Sequence, residues 1–286
     1  MTTETGGCSP AQKKTATESE IRVRTGAVIT LTGILVLYFS RYAYVLEAAA
    51  AMLSIMGIVE LLRAAKCCTW YNVLLLSLIA AAVCMRRLPY YTEILLFVWV
   101  LAIVAFALFM SRMKEIHSIG FWRILPCALM LPIFFYSAVE IRRWPQGLAV
   151  LIFVTLGCTV NDVGAYFVGR AVGTHKLAPI ISPGKTVEGG LGGMVSSVIL
   201  MSLIASLYSR CAGVEIRYGW LFLYLFLASI VGQFGDLAMS TIKRTVGIKD
   251  FSRVLPGHGG ILDRFDSFLF AAPFAVFYGN MTGCFL

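Results

Sequence analysis

The chain has 286 residues, of which 59% are hydrophobic and only 14% are charged, and its mean hydropathy is +0.82. A water-soluble domain carries about 25% charged residues, so this composition excludes an ordinary soluble protein and indicates one embedded in the lipid bilayer. The formal net charge of +9 is typical of basic cytoplasmic loops in membrane proteins, and we expect no nucleic-acid partner because no basic domain stands apart from the apolar runs.

Nine apolar runs approach or exceed the length of about 20 residues that a membrane-spanning helix needs. They cover 26–40, 43–62, 70–85, 93–110, 121–139, 147–168, 189–209, 219–238 and 267–283. These runs predict an all-α, polytopic integral membrane protein with about nine transmembrane helices. We divide the chain into a polar N-terminal tail (1–20), N-terminal membrane helices (21–145) and a C-terminal part (146–286) that carries the chemical motifs.

The basic residues are distributed unequally between alternate loops. If the N-terminus is cytoplasmic, 17 of the 24 Lys and Arg residues lie on the cytoplasmic side and seven on the other, which is the bias that predicts this orientation. The two most polar connections, 170–188 and 239–266, then share the cytoplasmic face. Long polar loops between short turns commonly carry function, so we expect the site there.

An acidic residue lies within the last few turns of the sixth run. Asp162 shares a helix face with Tyr166 and Gly169, at spacings of four and three residues. A carboxylate inside a membrane helix is costly and usually faces a polar cavity or a charged partner. Asp162 is therefore a candidate site residue, and a buried ion pair with Arg170 is the alternative.

A Gly-Lys-Thr triplet at 184–186 looks like the end of a phosphate-binding P-loop. It is not one, because Pro179 stands where the pattern requires a glycine and no buried strand precedes the triplet. The seventh helix begins just after it, and the N–H groups and dipole of a helix N-terminus favour anions. The candidate residues of this segment are Ser182, Lys185, Thr186 and Glu188.

The segment 235–266 carries most of the candidate residues. If the eighth helix continues to Arg244, one face of it presents an acid, a hydroxyl and two cations: Asp236, Ser240, Lys243 and Arg244. Asp263 and Asp266 lie one turn apart, and carboxylates brought this close require a cation between them or a raised pKa. Hard oxygen ligands beside phosphate favour Mg²⁺ over zinc.

A glycine-rich stretch at 256–260 separates Asp236 from Asp263 and Asp266. Gly259 and Gly260 allow a backbone that presents N–H groups to a phosphate, while His258 is either a ligand contact or a turn residue held by its own hydrogen bonds. Basic, acidic and glycine-rich elements on one face together indicate phosphoryl or nucleotidyl transfer. These residues alone do not identify the phosphorus that is attacked.

Eleven positions from 240 to 266 resemble the signature of the phosphatidate cytidylyltransferases, also called CDP-diacylglycerol synthases. They are Ser240, Lys243, Arg244, Lys249, Asp250, His258, Gly259, Gly260, Asp263, Arg264 and Asp266. The block 162–189 is similar to a second conserved block of that family, whereas residues 21–145 resemble it only in hydrophobic pattern. The resemblance is thus close over about the C-terminal half.

The resemblance implies a Mg²⁺-dependent reaction of CTP with phosphatidate that yields CDP-diacylglycerol and pyrophosphate, in a homodimeric enzyme of phospholipid biosynthesis. It also implies the plasma (inner) membrane of a bacterium, a site that faces the cytoplasm, and potassium as a second cation. Asp236 and Asp263 would be the principal metal ligands, with Asp266 assisting. The catalytic assignments are Asp236, Lys243, Arg244, Asp263 and Asp266; the substrate-binding ones are Asp162, Ser182, Lys185, Thr186, Glu188, Ser240, Lys249, Asp250, His258, Gly259, Gly260 and Arg264.

Two other functions are compatible with parts of this pattern. A CTP-dependent lipid kinase would use similar metal-binding and basic residues but would transfer the γ-phosphoryl group to a lipid alcohol. An anion transporter could use Asp162 and Asp236 as coupling-ion sites, but both acids lie near helix ends, away from the bilayer midplane where such sites are found.

Overall fold

The computed structural model describes residues 10–42, 44–85, 97, 100 and 121–285. Apart from Phe97 and Val100, the fourth predicted run, 93–110, lies outside the described residues. Eight helices are present in the described ranges. They are α1 Pro10–Phe39, α2 Val45–Ala64, α3 Trp70–Met85, α4 Phe121–Arg142, α5 Gly147–Val172, α6 Val187–Ala212, α7 Tyr218–Thr245 and α8 Leu262–Thr282.

Six of these helices contain a segment that is long and apolar enough to cross a bilayer, namely α1, α2, α4, α5, α6 and α7. The apolar part of α3 is shorter, at Trp70–Cys84. The prediction of an all-α, polytopic membrane protein is therefore confirmed. One small antiparallel hairpin, which the apolar pattern did not predict, joins α5 to α6; it consists of β1 Lys176–Ala178 and β2 Ser182–Thr186, with Lys176 opposite Thr186.

Several helices extend beyond the apolar runs that predicted them. α5 continues to Val172, α7 continues to Thr245, and α8 begins at Leu262 rather than at 267. Hydropathy detects only lipid-facing or buried turns, whereas backbone hydrogen bonding continues through polar turns that face a cavity. The predicted polar tail is also partly helical, because α1 begins at Pro10, a residue type favoured in the first turn of a helix.

The helices pack as two groups that share α8. In one group α5 packs on α6 and α6 on α7, while in the other α2 packs on α3 and α4. α8 contacts both α7 and α4, and its central residues 267–276 are all buried. The ring of Phe270 meets that of Phe134 in α4 edge to face, with centroids 5.4 Å apart.

Glycines allow α5 and α6 to approach closely beside the hairpin. A Cβ placed on Gly164 would lie 2.6 Å from the Cβ of Ser196 and 3.3 Å from the Cα of Gly193. One on Gly189 would lie 2.8 Å from the carbonyl oxygen of Ala165. Small residues permit this kind of backbone contact in membranes, and Gly164, Gly189 and Gly193 provide it between α5 and α6.

We expect Gly164→Ala to lower the free energy of unfolding in detergent by about 1–3 kcal/mol, because the added methyl group overpacks the α5–α6 contact. Gly157→Ala is the matched control in the same helix, since a Cβ there meets nothing within 4 Å. That control should leave stability unchanged or raise it by up to about 1 kcal/mol through helix propensity. Equal thermal unfolding of the two purified variants would contradict the close approach.

Candidate active site

A cavity of about 560 Å³ lies between α5, the hairpin, α6, α7 and α8. Its lining combines residues from both polar segments that the sequence analysis selected, 162–189 and 236–266. Four carboxylates and three basic side chains line it: Asp162, Asp236, Asp263, Asp266, Arg170, Lys176 and Lys185. Two further predicted residues, Ser182 and Thr186, belong to the same lining.

Lys185 and Asp236 form the central contact of the cavity. β2 carries Lys185 across to α7, where its Nζ donates a hydrogen bond to Oδ2 of Asp236. Oδ1 of Asp236 accepts a hydrogen bond of 3.3 Å from the Ser240 hydroxyl, one turn along the helix. The predicted α7 face therefore exists for Asp236 and Ser240, and the cation that binds Asp236 comes from the hairpin.

Asp162 faces this cavity and does not pair with Arg170. Its Oδ2 accepts a 3.4 Å hydrogen bond from the hydroxyl of Ser267, and it lies within electrostatic range of Asp236 and Lys185. Arg170 instead donates to the Tyr166 hydroxyl at 3.1 Å. The structure thus favours the cavity interpretation of Asp162 over the buried ion pair.

Lys243 and Asp263 form a second, more deeply buried pair. Their Nζ–Oδ1 distance is 2.8 Å, and the two side chains are 10% and 4% exposed. Oδ2 of Asp263 also accepts hydrogen bonds of 2.9 Å from the backbone N–H groups of Phe251 and Gly260. Oδ1 of Asp263 is therefore occupied by Lys243 of α7 and Oδ2 by two N–H groups of the loop 251–260, and the role of Asp263 as a metal ligand stays a prediction.

The backbone conformation at position 259 explains why a glycine occurs there. Its φ of +83° is in the region that favours glycine, and a Cβ there would lie 3.0 Å from Oδ2 of Asp263. The turn is closed by backbone hydrogen bonds, from Leu255 N–H to the Gly259 carbonyl at 2.9 Å and from His258 N–H to the Leu255 carbonyl at 2.8 Å. Nδ1 of His258 is buried and has no partner in the described part of the chain.

Two predicted site residues hold loops and do not line the cavity. Glu188 accepts hydrogen bonds from the Thr174 hydroxyl at 2.8 Å and from the backbone N–H groups of Thr174 and His175, which fixes the chain before β1. Arg244 donates to the carbonyl oxygens of Ile181 and Ile248 at 3.0 and 2.9 Å. Arg244 therefore ties the hairpin to the end of α7.

Thr186 has a local structural role as well as a place in the lining. Its side chain caps α6 by accepting a 3.1 Å hydrogen bond from the N–H of Gly189. Three other predicted residues are exposed and lie outside the lining: Lys249, Asp250 and Arg264. Their assignment to substrate binding stays a prediction.

The carboxylate oxygens that line the cavity are of the chemical type that binds magnesium. Asp162, Asp236 and Asp266 come from three different helices and offer carboxylate oxygens, which Mg²⁺ prefers; Asp162 and Asp266 each lie within electrostatic range of Asp236. Within the described ranges, however, no three His, Cys, Asp or Glu side chains are grouped closely enough to hold a metal as they stand. Magnesium and potassium both stay predictions.

Charge balance gives a further reason to expect a cation. The lining contains four carboxylates against three basic side chains, so it has no surplus positive charge with which to bind a polyphosphate. Carboxylates alone would repel such a ligand, whereas carboxylates that hold a divalent cation would attract it.

Sequence reasoning missed Gln233 as a site residue and selected neither Arg170 nor Lys176. Gln233 lines the cavity, and its amide donates to Oδ1 of Asn161 at 3.1 Å and to the carbonyl of Gly190 at 3.0 Å, which links α5, α6 and α7. Gln233 could have been found from its position, because it lies three residues before Asp236 on the same helix face.

The chain is similar to known proteins, both to a family profile and to individual relatives. Residues 20–282 match the sequence profile described as the cytidylyltransferase family. The phosphatidate cytidylyltransferase of Bacillus subtilis (strain 168) is 41% identical over 186 residues, which are 65% of this chain and 66% of the relative. That of Staphylococcus haemolyticus (strain JCSC1435) is 48% identical over 129 residues, 45% of this chain and 48% of the relative. The chain thus spans less than two thirds of the length of either relative.

Proposed function

The chain belongs to the cytidylyltransferase family, and from this premise we propose that it joins CTP to phosphatidate, forming CDP-diacylglycerol and pyrophosphate. The choice of substrates rests on the relatives, which are phosphatidate cytidylyltransferases. The observation that supports the proposal in this chain is the cavity in which Lys185 binds Asp236 among further carboxylates and basic side chains. Such a site is suited to phosphate chemistry beside a membrane.

In the proposed reaction an oxygen of the phosphatidate phosphate attacks the α-phosphorus of CTP. A bond forms between that oxygen and the α-phosphorus, while the bond from the α-phosphorus to the oxygen bridging to the β-phosphorus breaks and pyrophosphate leaves. Phosphatidate is already ionised near neutral pH, so no strong general base is needed. The chain's task is to hold two anions together in line.

The basic residues of the lining would perform that task. Lys185, Lys176 and Arg170 come from the hairpin and the end of α5, and their charges would neutralise the phosphates of both substrates. Asp236 and Asp266 would hold Mg²⁺, with Asp162 nearby and Asp263 as the ligand that the resemblance implies. Bound Mg²⁺ would supply further charge neutralisation at the CTP phosphates.

We further propose that the site faces the cytoplasm of a bacterial plasma membrane and that the enzyme is a homodimer. The excess of Lys and Arg in the loops that share a face with the cavity supports this orientation. The bacterial sources of the relatives support the membrane assignment. The dimer rests on the family resemblance alone.

Labelled CTP tests the proposed reaction directly. With purified protein, phosphatidate and Mg²⁺, we expect label from the α-phosphate of CTP to appear in the extracted lipid and label from the γ-phosphate to appear in pyrophosphate. γ-Label in the lipid would indicate a lipid kinase instead. Uptake of an anion into liposomes without pyrophosphate release would indicate a transporter, and either result would overturn the proposal.

A further inference from the structure

Glu60 is a buried acid in α2, in the half of the chain that carries none of the predicted site residues. It is 3% exposed and forms no ion pair with any residue that the structure describes. Its two oxygens instead accept three hydrogen bonds from the segment 252–262. Oε1 accepts from the Ser252 hydroxyl at 2.6 Å and from Ile261 N–H at 2.9 Å, and Oε2 accepts from Leu262 N–H at 3.0 Å.

These donors include the free N–H groups at the start of α8. The residue before the helix, Ile261, has no side chain that could cap it, so Glu60 performs the capping from another helix. The positive end of the α8 dipole favours a carboxylate at this position. A glutamine would satisfy the three donors less well, because one of its two polar groups is itself a donor.

The position of Gly260 is fixed from both sides by two acids. Its N–H donates to Asp263 at 2.9 Å, and a Cβ placed on it would lie 2.6 Å from Oε2 of Glu60. Its φ is not in the left-handed region, so its backbone conformation does not demand glycine. A side chain at position 260 would have to displace the Glu60 carboxylate from the three donors that hold it.

We propose that Glu60 is a positioning residue of the active site, acting through the first turn of α8. Glu60 does not line the cavity, but the backbone that it binds at Ile261 and Leu262 leads directly into Asp263 and Asp266. Glu60, in the N-terminal half, thereby determines the positions of Asp263 and Asp266. The inference rests on the proposed function for its activity test, and its structural test is independent of that function.

Glu60→Gln in the purified full-length protein should reduce kcat about a hundredfold, the loss expected when catalytic groups shift by about 1 Å. The KM for CTP should change much less, since Glu60 does not line the cavity. Glu47→Gln is the matched control, because Glu47 is in the same helix and pairs with Arg143 at 3.6 Å, away from the loop. It should retain wild-type kcat. A Glu60→Gln protein with wild-type kcat per folded molecule would overturn the proposal.

Trypsin cleavage separates this inference from the proposed function. Lys249, just before the loop 251–260, and Arg253, within it, are exposed cleavage sites, and we expect Glu60→Gln to accelerate cleavage there while Glu47→Gln does not. If the wild type fails to make CDP-diacylglycerol, the proposed function fails while the cleavage result still tests Glu60. Unchanged cleavage in Glu60→Gln would overturn the anchoring of the loop.

A pair of substitutions tests the contact between Glu60 and Gly260. Gly260→Ala should reduce kcat in the wild-type background, because the new methyl group collides with the Glu60 carboxylate. In a Glu60→Asp background the shorter side chain leaves room, so the second substitution should reduce kcat by a smaller factor. Equal factors in both backgrounds would show that the two residues do not share this space and would contradict the proposal.

Discussion

Asp236→Asn is expected to reduce turnover of CTP and phosphatidate about a thousandfold, the scale of losing a main electrostatic group of an active site. The substitution removes one negative charge from the residue that binds Lys185 and neighbours Asp162 and Asp266. It retains the shape of the side chain and an oxygen for the Ser240 hydroxyl. The measurement is Mg²⁺-dependent pyrophosphate release that requires phosphatidate.

The same substitution should leave the protein folded, because it relieves repulsion between neighbouring carboxylates. Loss of the charge pair with Lys185 opposes this gain, so thermal unfolding in detergent should occur close to the wild-type temperature. Glu140→Gln is a suitable control, since Glu140 pairs with Arg143 at 3.0 Å and neither residue belongs to the cavity lining, and it should retain full turnover. Wild-type turnover in Asp236→Asn would remove Asp236 from the proposed mechanism.

Asp263→Ala is expected to abolish turnover and also to destabilise the protein by about 3–5 kcal/mol. The loss of stability arises because Lys243, whose side chain is 10% exposed, would remain buried without its partner. Two backbone N–H groups, of Phe251 and Gly260, would also lose their acceptor. Chemical unfolding in detergent, measured beside turnover, tests both effects.

The double variant Asp263→Leu/Lys243→Met isolates the ion pair. Removing both charges replaces the pair with apolar side chains, which is often neutral or stabilising for a buried pair, so most of the lost stability should return. Turnover should not return, because the loop would still lack its anchor. If the double variant is as unstable as Asp263→Ala, the pair is not the origin of the destabilisation.

The helices and the two segments that line the cavity, 162–189 and 236–266, could be predicted from the sequence. Apolar runs indicate helix turns that face lipid or are buried. Acids inside them, such as Asp162 and Asp236, are energetically so costly that they indicate a polar cavity. The charge bias of the loops placed both polar segments on one face, and both contribute to the cavity lining.

The partners of those residues could not be predicted, because each comes from a distant part of the chain. Lys185 lies 51 residues before Asp236, and Glu60 lies 201 residues before Ile261. Periodicity shows which face a residue occupies but not which donor reaches it. Arg244 illustrates the limit: it was predicted to share a face with Asp236, yet it binds the carbonyl oxygens of Ile181 and Ile248.

The position of α8 between two helix groups has a consequence for any attempt to dissect the protein. α8 packs on α7 and on α4, and its first turn is capped from α2. A fragment restricted to 146–286 would retain every signature residue yet expose the α4-facing side of α8 and leave the Ile261 and Leu262 N–H groups without an acceptor. The C-terminal half alone is therefore not sufficient. If the protein is divided, the two halves must be co-expressed as separate chains, so that α8 keeps its contact with α4 and its cap from α2.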